Sequence, residues 1–458
     1  MKRGALLTAT LAAFITPFMG SSINIALPTL GNELSMDAVK LGWVATAYLL
    51  TAAMFLVPIG KLSDIYGRKR IFAGGILLYS AASLMAALAP SGNWLIGARI
   101  VQGAGGAMIF GTRVAILTSV FSPRERGKVL GINIAAVYMG LSLGPFIGGL
   151  LTQHLGWRSL FLVNVGLGGA AAVLTFWKLR GEWREAREDK FDLGGALIYS
   201  ASLVALMVGF SRLPRSMGFW LILLSLAGGT LFVRRELRIP IPVLDMALFR
   251  GNPAFAFSNL AALINYSATF AVTFLLSLYL QYNHGFSPQR AGFVLVAQPL
   301  VMVLFSPLAG RLSDRIEPRR IASVGMAFTT IGLILMAFIG EGTRLPWIVL
   351  SLVVVGFGFA LFSSPNTNAI MSSVEKKSYG VASAMVATMR MVGQMFSMGI
   401  AMLLFAVFIG NVRITARNLP AFLLSMRWAF ILFGVLCFGG IFASLARGDM
   451  GRDGEADA

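Results

Sequence analysis

The sequence predicts an all-α polytopic membrane protein, built as two pseudo-symmetric six-helix bundles with two further helices inserted between them, fourteen transmembrane spans in all. Three observations predict it. Of 458 residues, 57% are hydrophobic and 12% charged, and apolar stretches of about 20 residues, the length that crosses a bilayer, recur along the whole chain. The stretch Gly60-Lys61-Leu62-Ser63-Asp64-Ile65-Tyr66-Gly67-Arg68-Lys69-Arg70-Ile71 returns 250 positions later as Gly310-Arg311-Leu312-Ser313-Asp314-Arg315-Ile316-Glu317-Pro318-Arg319-Arg320-Ile321. In both places it separates two apolar runs, which marks an internal duplication. With both termini on one side, 26 of the 38 Lys and Arg fall on that side, nine on the other, and Arg99, Arg113 and Arg390 within spans. This bias makes the side of the repeated turns cytoplasmic, with both termini inside a cell membrane.

The spans of the first bundle, residues 1–177, lie near 5–27, 42–59, 71–89, 94–119, 128–152 and 159–177. The first begins with Lys2 and Arg3 like a signal peptide, but no small-residue cleavage site follows, so it reads as an uncleaved span. Residues 178–253 are cytoplasmic linkers around an inserted pair of spans near 194–210 and 218–233. The first linker, 178–193, is too charged for lipid and reads as a solvated helix. The second bundle, 254–446, has spans near 254–280, 291–309, 321–340, 346–371, 379–409 and 427–446, and 447–458 reads as a polar cytoplasmic tail.

Other classes are excluded by what the chain lacks. A net charge of +19 would suit nucleic acid, but its one-sided distribution is a topology signal and not a binding face. There is no GxxxxGK[ST] loop and no Cys/His metal spacing, so neither an enzyme nor a cofactor or metal is expected. His154 and His284 read as solvated outer-loop residues. Cys437 stands in an apolar run as a small hydrophobe.

Several constellations can carry function. In the repeated turn, Gly60 and Gly67 permit a tight reversal, while Asp64 can accept hydrogen bonds from helix-terminal amides or from Arg68. Such a charged latch can hold two bundles in one arrangement; Gly310, Asp314 and Arg315 repeat it, with Pro318 changing the geometry. Gly140, Gly144 and Gly148 recur every four residues and form a smooth helix face. Pro145 removes a backbone donor and bends the helix there. Arg99, Gln102, Gly103, Gly106 and Arg113 share one stripe of the fourth span. Ser383, Arg390, Gln394 and Ser397 share one on the thirteenth, and Ser258, Asn265 and Thr269 one on the ninth, beside Tyr266. With Asn24 on the first span these suit a central cavity, which Asn133, Asn164, Gln298 and Asn366 join as weaker candidates. Hydrogen bonding that merely joins helices is the other reading. None of the nineteen acids lies mid-span: Glu33 and Asp37 flank an outer loop, Asp64 and Asp314 sit in turns, and Asp192 and Asp245 border cytoplasmic segments. A cavity with arginines and no carboxylate repels lipophilic cations and favours anionic, zwitterionic or neutral substrates.

The repeated turn resembles the signature loop of the major facilitator superfamily. Leu95 to Gly106 is similar to its fourth-helix motif, and Gly131, Gly140, Gly144-Pro145 and Gly148-Gly149 to the antiporter motif of its exporters. Fourteen spans and Asn24-Ile25-Ala26-Leu27-Pro28 make the chain resemble the fourteen-helix drug:proton antiporter branch. The resemblance implies the major facilitator fold and alternating-access efflux of drug-like or amphiphilic small molecules across the lipid bilayer, with protons as coupling ion and Arg99 in the coupling. Where the branch carries a first-helix Asp, this chain has Met19. A coupling proton then falls to Asp64, to Glu33 or to the substrate itself; membrane potential alone is the other drive. An uptake permease for an organic anion or metabolite and a transporter-like sensor that moves nothing are the alternative functions.

Overall fold

The structure, a computed structural model, describes residues 2–179, 181–184, 191–239, 242–244, 246–313, 315–375, 379–410 and 412–447. The first six helices are α1 (Lys2–Glu33), α2 (Ala38–Tyr66), α3 (Arg68–Ala87), α4 (Gly92–Val120), α5 (Pro123–Leu155) and α6 (Arg158–Lys178). The inserted pair is α7 (Leu193–Arg212) and α8 (Ser216–Glu236). The second half follows as α9 (Pro253–Thr269), α10 (Ala271–Tyr282), α11 (Pro288–Leu295), α12 (Ala297–Ser313), α13 (Pro318–Ala337), α14 (Leu345–Ser372), α15 (Tyr379–Phe408) and α16 (Leu419–Leu445). Among the described residues, fourteen spans are long and apolar enough to cross a membrane, two of them assembled from α9 with α10 and from α11 with α12. Helix starts follow local chemistry: Asp37, Ser91, Asp192, Asn252 and Ser287 each accept a hydrogen bond from a first-turn amide, and proline opens α5, α9, α11 and α13. These polar caps carry the helices past the apolar limits expected from hydropathy.

Three expectations are corrected. The spans expected as continuous at 254–280 and 291–309 are each broken, at Phe270 and at Val296. The first linker is not helical at its described residues 179, 181–184 and 191–192. Arg447, assigned to a solvated tail, is only 2% exposed; residues 448–458, with Asp245 and Asp314, lie outside the described ones.

The inserted pair is anchored where Asp192 caps α7 and receives Arg235 from α8 at 2.7 Å. The Arg235 hydrogen bond holds the Asp192 carboxyl below its ordinary range. The repeated turns share one end of the molecule: Val57 of α2, nine positions before Tyr66, clusters with Ile370, Ala382 and Met385 of α14 and α15. At the opposite, far end the halves are knit by polar contacts. Ser277 Oγ donates to the Asn24 carbonyl at 2.7 Å, Gln281 Nε2 to that of Ile25 at 2.9 Å, and the Ala38 amide to that of Val412 at 3.0 Å.

Candidate functional site

At the first turn, Gly67 joins α2 to α3 with φ +118°, a conformation glycine adopts without strain. Gly60 and Gly310 lie inside α2 and α12, so neither makes a reversal. Arg68 Nε and Nη2 both reach Asp64 Oδ1 at 2.8 Å, and Nη1 donates to Ser119 of α4 at 2.6 Å. One arginine, 6% exposed, thus ties three helices together. In the second copy Ser313 Oγ donates to the Gly310 carbonyl at 2.7 Å, as Ser63 does to that of Gly60. Arg315 sits in the turn with its amide on the Leu312 carbonyl. Pro318 opens α13 there, where its missing N–H costs nothing.

The glycine stripe of α5 lies against α1. A Cβ added to Gly140 would stand 2.6 Å from the Phe14 carbonyl, and one on Gly148 2.9 Å from Ser22 Cα. Ser22 Oγ donates to the Gly144 carbonyl at 2.9 Å, which close approach alone permits. Gly149 faces the other half, with Pro288 O 2.6 Å from where its Cβ would be. Gly131 faces open space. Pro145 lies inside a continuous α5.

A cavity of about 130 Å³ lies between the halves. Thr16, Pro17, Gly20, Ser21, Ile23 and Asn24 of α1 line it, with Tyr48, Arg99, Phe110 and Pro145 from α2, α4 and α5. Tyr266, Thr269, Phe270, Thr273, Leu295, Gln298, Pro299, Phe359, Arg390 and Gln394 line it from the second half. Among the described residues, no Asp or Glu is in the lining. Both helix breaks open onto this space. At the first, Thr269 Oγ1 turns back to the Asn265 carbonyl and the Ala271 amide goes to Ser397 Oγ at 2.9 Å. At the second, Pro299 has no N–H for the Leu295 carbonyl.

Among the described residues the three membrane-embedded arginines have aromatic rings and no carboxylates beside them. Arg99 stacks on Tyr48 at 4.6 Å, Arg113 on Phe110 at 4.7 Å and Arg390 on Tyr266 at 5.5 Å. A mid-membrane arginine costs at least ~2.5 to 3.5 kcal/mol, and a desolvated ring returns about 2. Arg99 has more: its Nε donates to the Val44 carbonyl at 2.9 Å and its Nη1 to Gln102 Oε1. Each such charge-assisted bond is worth about 1.5 to 3 kcal/mol, so Arg99 is satisfied within the protein. Arg113 and Arg390 are not: Nε and Nη1 of the first and Nε of the second are buried without partners.

The family model "Major Facilitator Superfamily" matches residues 9–254 and 259–456. The chain belongs to the Major Facilitator Superfamily. It is 33% identical over 414 residues to the "Cephamycin export protein CmcT" of Amycolatopsis lactamdurans, covering 87% of this chain and 84% of that one. It is 30% identical over 385 residues to the "Riboflavin transporter RibZ" of Clostridioides difficile (strain 630), covering 84% of each. A solved peptide transporter in complex with alafosfalin shares the fold, with a TM-score of 0.71 at 16% identity, over 95% of this chain and 93% of that one.

In this facilitator the expected site residues divide. Asn24, Arg99, Tyr266, Arg390, Gln394 and Gln298 line the cavity. Gln102 does not; it is spent between Arg99 and Ser83 Oγ. Asn265 is fully buried outside the lining, and Arg113 lies behind Phe110. Asn133 and Asn366 join helices by bonding the Ala9 and Ser258 carbonyls. Asn164 reaches Leu160 O and the Met19 sulfur, so Met19, standing where the branch has an Asp, points into the first bundle. Glu33 accepts from Trp157 at 2.7 Å and pairs with Arg158. His154 ends α5, and His284 packs on Tyr279 instead of standing free in a loop. Cys437 is buried.

Sequence reasoning missed Glu182. Its carboxylate accepts the Lys69 and Arg70 amides at 2.8 and 3.2 Å, capping α3, while the Trp183 carbonyl takes the Arg68 amide. The only signal was an acid in a charged linker, which says nothing about where the linker lands. Glu182→Ala is expected to cost about 1 kcal/mol, the usual worth of a cap, seen as a small drop in the melting temperature of the purified protein. An unchanged melt would show that the cap is not made.

Proposed function

We propose that this facilitator is a secondary active exporter, working by alternating access in a cell membrane with both termini cytoplasmic, for drug-like or amphiphilic small molecules without net positive charge. The observation that carries this is the cavity, lined from both halves, with Arg99 and Arg390 and, among the described residues, no acid. A low-dielectric space of that kind repels a cation and admits an anion, zwitterion or neutral molecule. The α5 glycine stripe and relatives named for cephamycin and tetracenomycin C export support the outward direction. The Asp64–Arg68–Ser119 contact serves as a latch released as the bundles rock. Glu33 and Asp64 are each engaged by an arginine, so proton coupling at either requires its pair to open; a proton carried on the substrate does not. Membrane potential, worth about 2.3 kcal/mol per charge per 100 mV, also drives an anion outward.

A ligand panel matched in size and split by charge tests this through thermal stabilisation of the purified protein. Anionic and neutral compounds are expected to raise the melting temperature and lipophilic cations to leave it unchanged; stabilisation by cations alone overturns the reading. The relative named as a riboflavin transporter favours a second reading, uptake of an organic anion or metabolite. Transport direction in everted vesicles separates the two, and flux at zero potential with and without a pH gradient identifies the drive.

A further inference from the structure

The inserted pair lies outside the duplication, yet it touches both halves. Tyr199 of α7 donates its hydroxyl to the Ala53 carbonyl of α2 at 3.1 Å, and Phe210 of α7 packs on Phe396 of α15 with ring centroids 6.4 Å apart. The pair therefore straddles a seam that must part when the end carrying the repeated turns opens. Beyond α8, Leu244 fills that end, buried in one cluster with Val57 of α2, Phe232 of α8, Phe255 of α9, Ile370 of α14 and Met385 of α15. Glu236, the last residue of α8, ties it down by taking the Leu244 amide on Oε2 at 2.7 Å.

That carboxyl is poorly placed to carry charge. Glu236 is 3% exposed, and its Oε1 is buried with no hydrogen-bond partner among the described residues. A second carboxylate, Asp192, stands beside it: a Cβ built on Gly195 would lie 2.4 Å from Asp192 Oδ2 and 2.7 Å from Glu236 Oε1, so the two oxygens are at most about 5 Å apart. Arg235 does little to relieve Glu236, because its Nε and Nη2 are both spent on Asp192, at 3.2 and 2.7 Å. Asp192 of α7 and Arg235 of α8 are the charged groups that act on it, and residues 243 and 244 offer it backbone amides. A dry carboxylate with a free oxygen, next to another carboxylate, takes up a proton. The neutral acid still has its carbonyl oxygen for the Leu244 amide.

We propose that Glu236 is a proton-binding site, with the proton on Oε1, and that its occupancy favours closure of the end that carries the repeated turns. When that end opens, Leu244 leaves its cluster, water reaches the carboxyl and takes the proton from it. The closed arrangement thus binds the proton more tightly than the open one, and linkage fixes the sign: lowering the pH favours closure and raising it favours opening. Glu33 and Asp64 must first break an ion pair to take a proton, whereas Glu236 has none to break. This rests on the two halves alternating, as proposed above.

Two spin labels read the separation of the halves at this end, on Tyr66→Cys at the end of α2 and Val381→Cys near the start of α15, both exposed positions, in purified full-length protein with Cys437→Ala. Between about pH 8.5 and about pH 5.5 the ratio of the short distance to the long one is expected to rise at least about fivefold. Glu236→Gln, which cannot ionise and keeps an amide oxygen for Leu244, is expected to hold the acid ratio within about twofold across that range. Asp192→Asn, which removes the neighbouring anion and leaves Arg235 to face Glu236, should move the midpoint at least about one unit toward acid. A Glu236→Gln protein that still responds to pH like wild type, or that stays open throughout, overturns the proposal. So does a midpoint that Asp192→Asn leaves in place. Two distances whose ratio ignores pH in the wild type overturn it while sparing the alternation of the halves; a single distance at every pH, with and without transported compounds, overturns both.

Discussion

Gly140→Val is expected to lower the melting temperature by several degrees and to reduce flux at least about tenfold, because the added atoms have nowhere to go. Cβ alone would lie 2.6 Å from the Phe14 carbonyl and 3.0 Å from the Phe18 nitrogen. Both are backbone atoms that no rotamer change can move. Overpacking a well-filled core costs about 1 to 3 kcal/mol, and contact with backbone puts this case at the upper end. Separating α1 from α5 would also displace the Ser22 hydroxyl from the Gly144 carbonyl and shift Asn24 and Ser21 at the cavity wall. Gly131→Val supplies the control. The same motif places Gly131 in the pattern, yet nothing lies within 4 Å of its Cβ position, so its melt is expected to stay within about 0.5 kcal/mol of wild type. A Gly140→Val protein that melts and transports like wild type would mean that α1 and α5 do not need this approach.

The contrast between those two glycines shows what sequence can carry. Spacing identified a smooth face at Gly140, Gly144 and Gly148 but not its neighbour, which is α1. Fourteen spans, the duplication and the charged turns were legible because hydropathy and repeats are properties of the chain itself. The breaks at Phe270 and Val296 were not, since an apolar run looks continuous when its freed amide is taken by a serine 126 positions away. Gln102 and Asn265 were expected at the cavity because helical phase puts a residue on a face without saying how far the face reaches. Gln102 meets Ser83 first. The aromatic wall went unread for the opposite reason: Phe110, Phe270 and Phe359 are ordinary core residues in a sequence with 34 phenylalanines, and only the fold places them in one lining with Arg99 and Arg390.

Arg99→Met is expected to leave the melting temperature unchanged or raise it, while flux of the most stabilising anion falls at least about tenfold. Arg99 is 1% exposed and has no carboxylate partner among the described residues. Exchanging a buried ionic group for an apolar side chain of similar volume is often neutral or stabilising by about 1 to 4 kcal/mol, because the cost of dehydrating the charge disappears. Little is orphaned by the change. The Val44 carbonyl sits inside a helix, and Gln102 keeps its bond to Ser83. If the melt holds while the flux falls, this cation serves the cavity it lines and not the stability of the bundle. Methionine preserves volume and removes only charge and donors, so the melt and the flux in proteoliposomes are expected to move independently. A large fall in melting temperature with flux preserved would assign Arg99 to holding α2 and α4 together. Arg390, being less satisfied by the protein, would then be the remaining arginine of the lining to carry the proposed preference for negative charge.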